Sequence, residues 1–220
     1  MNTKDKRNSR ENEGKLLKII ILIISIIGLS LHIVTGLSIY GLGIFGYFTV
    51  LSNIAVVFYY IVYFSIPIRI SAILKGYILE PILLTGILNW FILVPISIKY
   101  YGTFLPLLRP SNIFVHGIIP ILVLIDWLLY DEKGIYTNIE PIKWCFFPLL
   151  YTVFIYVNEY LGAEGYPYPF YDPKVMGNWN NVFICLIIIL FIYILVGYFL
   201  YYLKSCLLYT SDAADDSLRV

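Results

Sequence analysis

Six long apolar runs, each near the length of a bilayer crossing, limit what this chain can fold into. A hydrocarbon core takes about 20 apolar residues per helix. The runs cover Leu16–Ile39, Ile44–Phe64, Tyr77–Ile98, Ile113–Tyr130, Pro141–Leu161 and Val182–Leu203. They are continuous rather than alternating, which excludes a β-barrel. The connections between them are short, so sequence neighbours are expected to lie antiparallel in one bundle. The composition agrees. Hydrophobic residues make up 60% of the 220, against roughly 45–50% in an ordinary soluble domain, and mean hydropathy is +0.82. A soluble fold of this size could not hide so much apolar surface. The expected fold class is an all-α integral membrane protein, a single bundle of six transmembrane helices.

Charge sets the expected orientation. Cytoplasmic ends of spans carry an excess of Lys and Arg. Six stand before or at the start of the first run: Lys4, Lys6, Arg7, Arg10, Lys15 and Lys18. With the N-terminus inside, the cytoplasmic side holds eleven Lys and Arg and the outside three. Both termini are therefore expected in the cytoplasm, with the protein multi-pass in the cell membrane. Residues 1–15 read as a basic cytoplasmic tail and residues 16–204 as the membrane domain. Cys206–Asp216 reads CLLYTSDAADD. That string resembles a translated sequencing adapter, so residues 205–220 are expected to be a non-native tail. Fifteen Lys and Arg balance fourteen Asp and Glu, which leaves no basic excess for nucleic acid. Cys145, Cys185 and Cys206 show no paired spacing for a disulfide or metal. No metal or cofactor is expected, the lipid bilayer is the surrounding phase, and oligomeric state stays open.

Polar residues inside a membrane cost free energy and so carry the information. They are His32, Thr49, Ser52, Asn53, Glu80, Asn89, His116 and Asp126, with Asn158 and Glu159 near the end of the fifth run. In this topology Thr49 lies roughly 7 Å, and His116 roughly 5 Å, below the outer ends of their helices at 1.5 Å per residue. Asn53 follows Thr49 one turn deeper on the same face. Asn158 and Glu159 come to the same level, and the outer loop Gly162–Asn181 could cover it. A hydroxyl and an imidazole at one depth suggest a nucleophile and its general base. A membrane Thr also commonly bonds back to a carbonyl one turn earlier, and a membrane His commonly bridges helices. Spacing alone does not choose between His32 and His116 as base. Asn53 could donate to an oxyanion or bridge two helices. Asp126 lies roughly 15 Å deeper than His116 and is expected to pair structurally with Arg69 or Lys143. Glu80 receives the same structural reading.

Four patches narrow the choice: GYFTVLSN (Gly46–Asn53), HGIIPILVLIDW (His116–Trp127), the pair Asn89–Trp90, and YPYPF (Tyr166–Phe170). Together they resemble the androgen-induced-gene-one family of six-helix membrane proteins, in its bacterial branch, over about Leu16–Lys204. The resemblance implies a membrane-embedded threonine hydrolase of fatty acid esters of hydroxy fatty acids. Thr49 and His116 would be the catalytic pair. Asn53, Asn89, Asn158, Glu159 and His32 would serve as oxyanion or supporting residues. The implied partner is a lipid substrate. The alternatives are a six-helix transporter or channel, which would depend on Asp126, and a non-catalytic membrane interaction protein.

Overall fold

The computed structural model describes residues 3–103, 105–131, 134–163 and 165–217. The side chains of Arg69, Tyr100 and Tyr101, and all of Lys133, lie outside the described residues. The chain is 86% helical, with no strand among the described residues. Helix α1 runs over Thr3–Tyr40 and leads through a 3-10 turn, Gly41–Gly46, into α2, Phe48–Tyr63. Helix α3 covers Ile68–Leu88 and passes through a π-turn, Asn89–Leu93, into α4, Val94–Tyr101. Helix α5, Pro110–Ile113, continues through a second π-turn, Phe114–Ile118, into α6, Ile119–Tyr130. Helices α7, Glu140–Trp144, and α8, Phe146–Tyr160, are separated at Cys145. The short α9, Pro173–Met176, and the long α10, Trp179–Ser217, complete the chain.

Among the described residues four helical stretches are long and apolar enough to cross a membrane: Asn8–Gly46, Ile70–Leu93, Pro110–Tyr130 and Trp179–Cys206. Large apolar side chains such as Phe58, Phe91 and Phe199 point outward, as lipid-facing surfaces require. These features are compatible with a membrane protein. Helix α2 is shorter, at 16 residues. It starts at Phe48 rather than Ile44, because the glycines at 41, 43 and 46 favour a tight turn over an α-helix there. Prolines set the other irregularities. A proline has no N–H for the carbonyl four residues earlier. Pro95 and Pro120 withhold one from Phe91 and His116, and a π-turn sits just ahead of each. Pro148 does the same to Trp144, and the break between α7 and α8 follows.

Helix α2 packs against α1 and α3, α6 against the same two, and α10 against α7 and α3. The main core holds Trp127, Trp144, Tyr60, Leu79 and Ile119, all fully buried. One end of it contains a charge cluster that corrects two expectations. Helix α3 begins at Ile68 rather than Tyr77, so Lys75 is a fully buried helical residue and not a loop charge. Asp126 pairs with Lys18 and Lys75 and accepts from the Tyr60 hydroxyl at 2.8 Å. Lys143 instead bonds Glu140. The physical reason is burial. A carboxylate shut off from water needs partners within the core, and Lys143 is half exposed. Lys204 donates to the carbonyls of Trp127 and Asp131. Glu80 is also buried. Both of its oxygens lack a hydrogen-bond partner among the described residues, and a β-carbon at Gly197 of α10 would lie 3.0 Å from one of them.

Candidate functional site

Thr49 is the second residue of α2. The preceding turn is pinned by Tyr151, whose hydroxyl donates to the Gly46 carbonyl at 2.8 Å. The first carbonyl used by the helix is that of Tyr47, which accepts from the N–H groups of Val50 and Leu51 at 3.0 and 3.2 Å. The N–H groups of Phe48 and Thr49 come before any intrahelical acceptor, and no side chain at Tyr47 caps them. The Thr49 hydroxyl therefore sits at the positive end of a helix dipole, where negative charge is favoured.

His116 is placed by the second π-turn. Its carbonyl cannot be served by Pro120. The indole Nε1–H of Trp90, from the facing π-turn, donates to it at 2.9 Å. Gly86 lets the two helices come this close, because a β-carbon there would lie 2.8 Å from the same oxygen. Two segments widened ahead of prolines thus face each other, and His116 belongs to the second of them. Single π-turns inside α-helices recur at functional sites.

The two side chains meet. Thr49 Oγ1 and His116 Nε2 are 3.1 Å apart, both residues buried. The other ring nitrogen, Nδ1, lies 3.2 Å from the Asn112 carbonyl oxygen. A carbonyl can only accept, so Nδ1 carries the hydrogen and Nε2 presents its lone pair. The Thr49 hydroxyl donates to that lone pair. This is the tautomer a general base needs, fixed by a backbone carbonyl.

The remaining sequence candidates take different places. Asn53 donates from Nδ2 to the Thr49 carbonyl at 2.8 Å and to the Val115 carbonyl at 3.4 Å. It ties α2 to the π-turn that carries His116. Asn89 is buried and its Oδ1 accepts from Asn112 Nδ2 at 3.4 Å. Through Asn112 it supports the segment that orients His116. His32 stacks edge-on against His116, ring centroids 5.9 Å apart. Asn158 and Glu159 are half-buried. Asn158 lines a cleft of about 600 Å³ between the 3-10 turn, α8 and the outer loop. Gly46 and Tyr47, just before Thr49, also line this cleft.

Three contributors escaped the sequence reading. Asn112 acts through its main chain, which no residue pattern reveals. Gly86 acts by having no side chain. The third is Tyr168 in the outer loop, whose ring meets Tyr47 at the start of α2 edge-on, centroids 5.6 Å apart. Burial pushes its phenol up to about 12, so it stays neutral. The YPYPF run was the available signal.

No family model, curated protein or solved structure matches the chain. Its chemistry must be read from the site. Among the described residues no group of three or more His, Cys, Asp or Glu side chains could hold a metal ion. What the site does hold is a buried hydroxyl hydrogen-bonded to an oriented base, next to the first N–H groups of α2, which precede any intrahelical acceptor. That combination suits attack on a carbonyl.

Proposed function

We propose that this protein is a membrane-embedded lipid ester hydrolase with Thr49 as nucleophile and His116 as general base. The observation that carries the reading is the 3.1 Å contact from Thr49 Oγ1 to His116 Nε2, with Nδ1 held on the Asn112 carbonyl. The resemblance to the androgen-induced-gene-one family supports the substrate class, fatty acid esters such as those of hydroxy fatty acids. In this reading the chain crosses the cell membrane six times. Helix α2 and the α7–α8 pair add two spans to the four long helices, and both termini lie in the cytoplasm. The clustering of Lys18, Lys75 and Lys204 at one end of the bundle supports that orientation.

The mechanism follows from the geometry. His116 Nε2 takes the Thr49 proton as Oγ1 attacks the ester carbonyl. The carbonyl oxygen becomes an oxyanion beside the Thr49 and Phe48 N–H groups. Collapse breaks the ester C–O bond, and His116 returns the proton to the departing alcohol oxygen. A water molecule, deprotonated by the same nitrogen, then attacks the acyl-threonine; the bond from Thr49 Oγ1 to the acyl carbon breaks, His116 returns the proton to Oγ1, and the fatty acid leaves. Asn53 and Trp90 hold the two helices in register and touch no reacting atom.

The test is ester hydrolysis by detergent-purified protein on a fatty acid ester of a hydroxy fatty acid. Wild type is expected to be active, and folded Thr49→Ala and His116→Ala inactive. Inactive wild type, or unchanged variants, would overturn the reading. The transporter alternative predicts instead that Asp126→Asn abolishes substrate movement in vesicles while Thr49→Ala leaves it intact.

A further inference from the structure

We infer that the cleft beside the start of α2 holds the acyl chain of the ester, and that the space left in it sets which chain lengths are favoured. The inference rests on the hydrolase reading above and gives a place to one half of that substrate. The cleft has a volume of about 600 Å³ and lies between the 3-10 turn, α8 and the outer loop. Ligand sites typically span about 300–1,000 Å³, with mostly apolar walls and a few polar groups. Here Leu42, Phe45, Phe154 and Ile155 supply the apolar walls, and Asn158 and Tyr166 the polar groups.

The chemistry at Thr49 decides which half of the ester goes there. The tetrahedral carbon carries four substituents: Thr49 Oγ1, the oxyanion, the leaving oxygen and the acyl chain. The leaving oxygen takes its proton from His116 Nε2 and must lie against that ring. The oxyanion lies beside the first N–H groups of α2. The acyl chain takes the direction that remains. Among the described residues that line the cleft, none belongs to Pro110–Tyr130, the stretch that carries His116. Gly46 and Tyr47, which lead into Thr49, do line it. The cleft therefore adjoins the nucleophile's own segment and is separate from the leaving-group side.

The walls are held and part of the lining is bare. Tyr151 of α8 fixes the Gly46 carbonyl at 2.8 Å, and Ile155, one turn further on, is buried. The Tyr47 ring packs against Tyr40 and Tyr168, with centroids 5.2 and 5.6 Å apart. A β-carbon at Gly43 or at Gly46 would meet nothing within 4 Å. Neither glycine has a positive φ, so the backbone at both positions admits a side chain. Having none, they leave the cleft open. At roughly 30 Å³ for a group the size of a water or a methylene, the space takes about twenty such groups, the bulk of a long fatty acyl chain.

Chain-length preference follows from this placement. One methylene gained or lost in an apolar pocket changes kcat/KM by about 10–200-fold. An acetyl group ends beside Thr49 and is too short to enter the cleft, whereas a palmitoyl chain fills it. A side chain added at Gly43, or enlarged at Ala163 on the loop side, takes up part of the same space. Either change removes the advantage of the long chain without touching a reacting atom.

The test uses the full chain in detergent with p-nitrophenyl acetate and p-nitrophenyl palmitate, which share one leaving group. It compares wild type, Gly43→Phe, Ala163→Phe, Thr49→Ala and Leu195→Phe, the last on the outward face of α10. Wild type is expected to favour palmitate in kcat/KM by about tenfold or more. Gly43→Phe or Ala163→Phe, whichever folds by its unfolding temperature, is expected to cut the palmitate-to-acetate ratio by about tenfold or more, and Leu195→Phe to keep it within about threefold. An unchanged ratio in every folded cleft variant would overturn this inference and leave the hydrolase reading standing, as would a wild type that cleaves acetate as well as palmitate while Thr49→Ala is inactive. Equal losses on both esters, or the same fall in Leu195→Phe, would also overturn it, assigning the cleft a packing role. Inactive wild type, or active Thr49→Ala, would overturn the hydrolase reading and this inference with it.

Discussion

Replacing Gly86 by Ala probes the contact that sets His116 against Thr49. A β-carbon at position 86 falls 2.8 Å from the His116 carbonyl oxygen. A carbon and a carbonyl oxygen settle about 3.3–3.6 Å apart, so the two helices must separate locally by roughly 0.5 Å. The opposing atom is helix backbone, and no rotamer change relieves the contact. The displacement acts on the segment that carries the imidazole. The Thr49–His116 separation, 3.1 Å at present, would stretch to about 3.6 Å, beyond a useful hydrogen bond. A misplacement of about 1 Å costs about 10²-fold in rate. Half of that corresponds to roughly tenfold, or about 1.4 kcal/mol in the barrier. Ala also exceeds Gly in helix propensity by about 1 kcal/mol, which offsets part of the steric cost, so the unfolding temperature should move little. The assay is steady-state ester hydrolysis in detergent, with tryptophan fluorescence following unfolding. The expected result is kcat down about tenfold with KM nearly constant. Wild-type kcat in folded Gly86→Ala would refute the claim that this close approach sets the catalytic geometry.

Two further predictions concern the frame around the site. Asn53→Ala should lower stability by about 1 kcal/mol, the net worth of an ordinary hydrogen bond, and reduce kcat less than about tenfold; a loss near 10²–10³-fold, read in the same assay, would make Asn53 an oxyanion donor instead. Lys75→Met should destabilise the fold by about 3 kcal/mol, the lower end for breaking a buried ion pair, because Lys18 still holds Asp126. Thermal unfolding in detergent measures that loss, and Lys143→Met, which removes the half-exposed partner of Glu140, should leave the midpoint unchanged.

The balance between sequence and structure differs from residue to residue. Apolar continuity determined the helical class and most helix positions, because every backbone group in a membrane must be satisfied within its own segment. It misplaced the start of α3, because a lysine ends an apolar run on paper. In the fold Lys75 continues the helix, since Asp126 arrives from α6 to neutralise it. Thr49 and His116 were legible as a pair by depth and by resemblance, and the structure sets their side chains 3.1 Å apart. The tautomer of His116 was not legible. It depends on the main-chain carbonyl of Asn112, whose direction is set by a π-turn and not by a residue type. Tyr168 stood in a conspicuous loop motif, yet only the folding of that loop over the start of α2 brings its ring against Tyr47. Sequence by itself determined which groups could do chemistry, because a polar residue inside a long apolar run is costly in a bilayer and therefore conspicuous. Tertiary structure alone decided which lone pair faces which hydrogen, because hydrogen-bond direction is a property of packed helices and not of one helix alone.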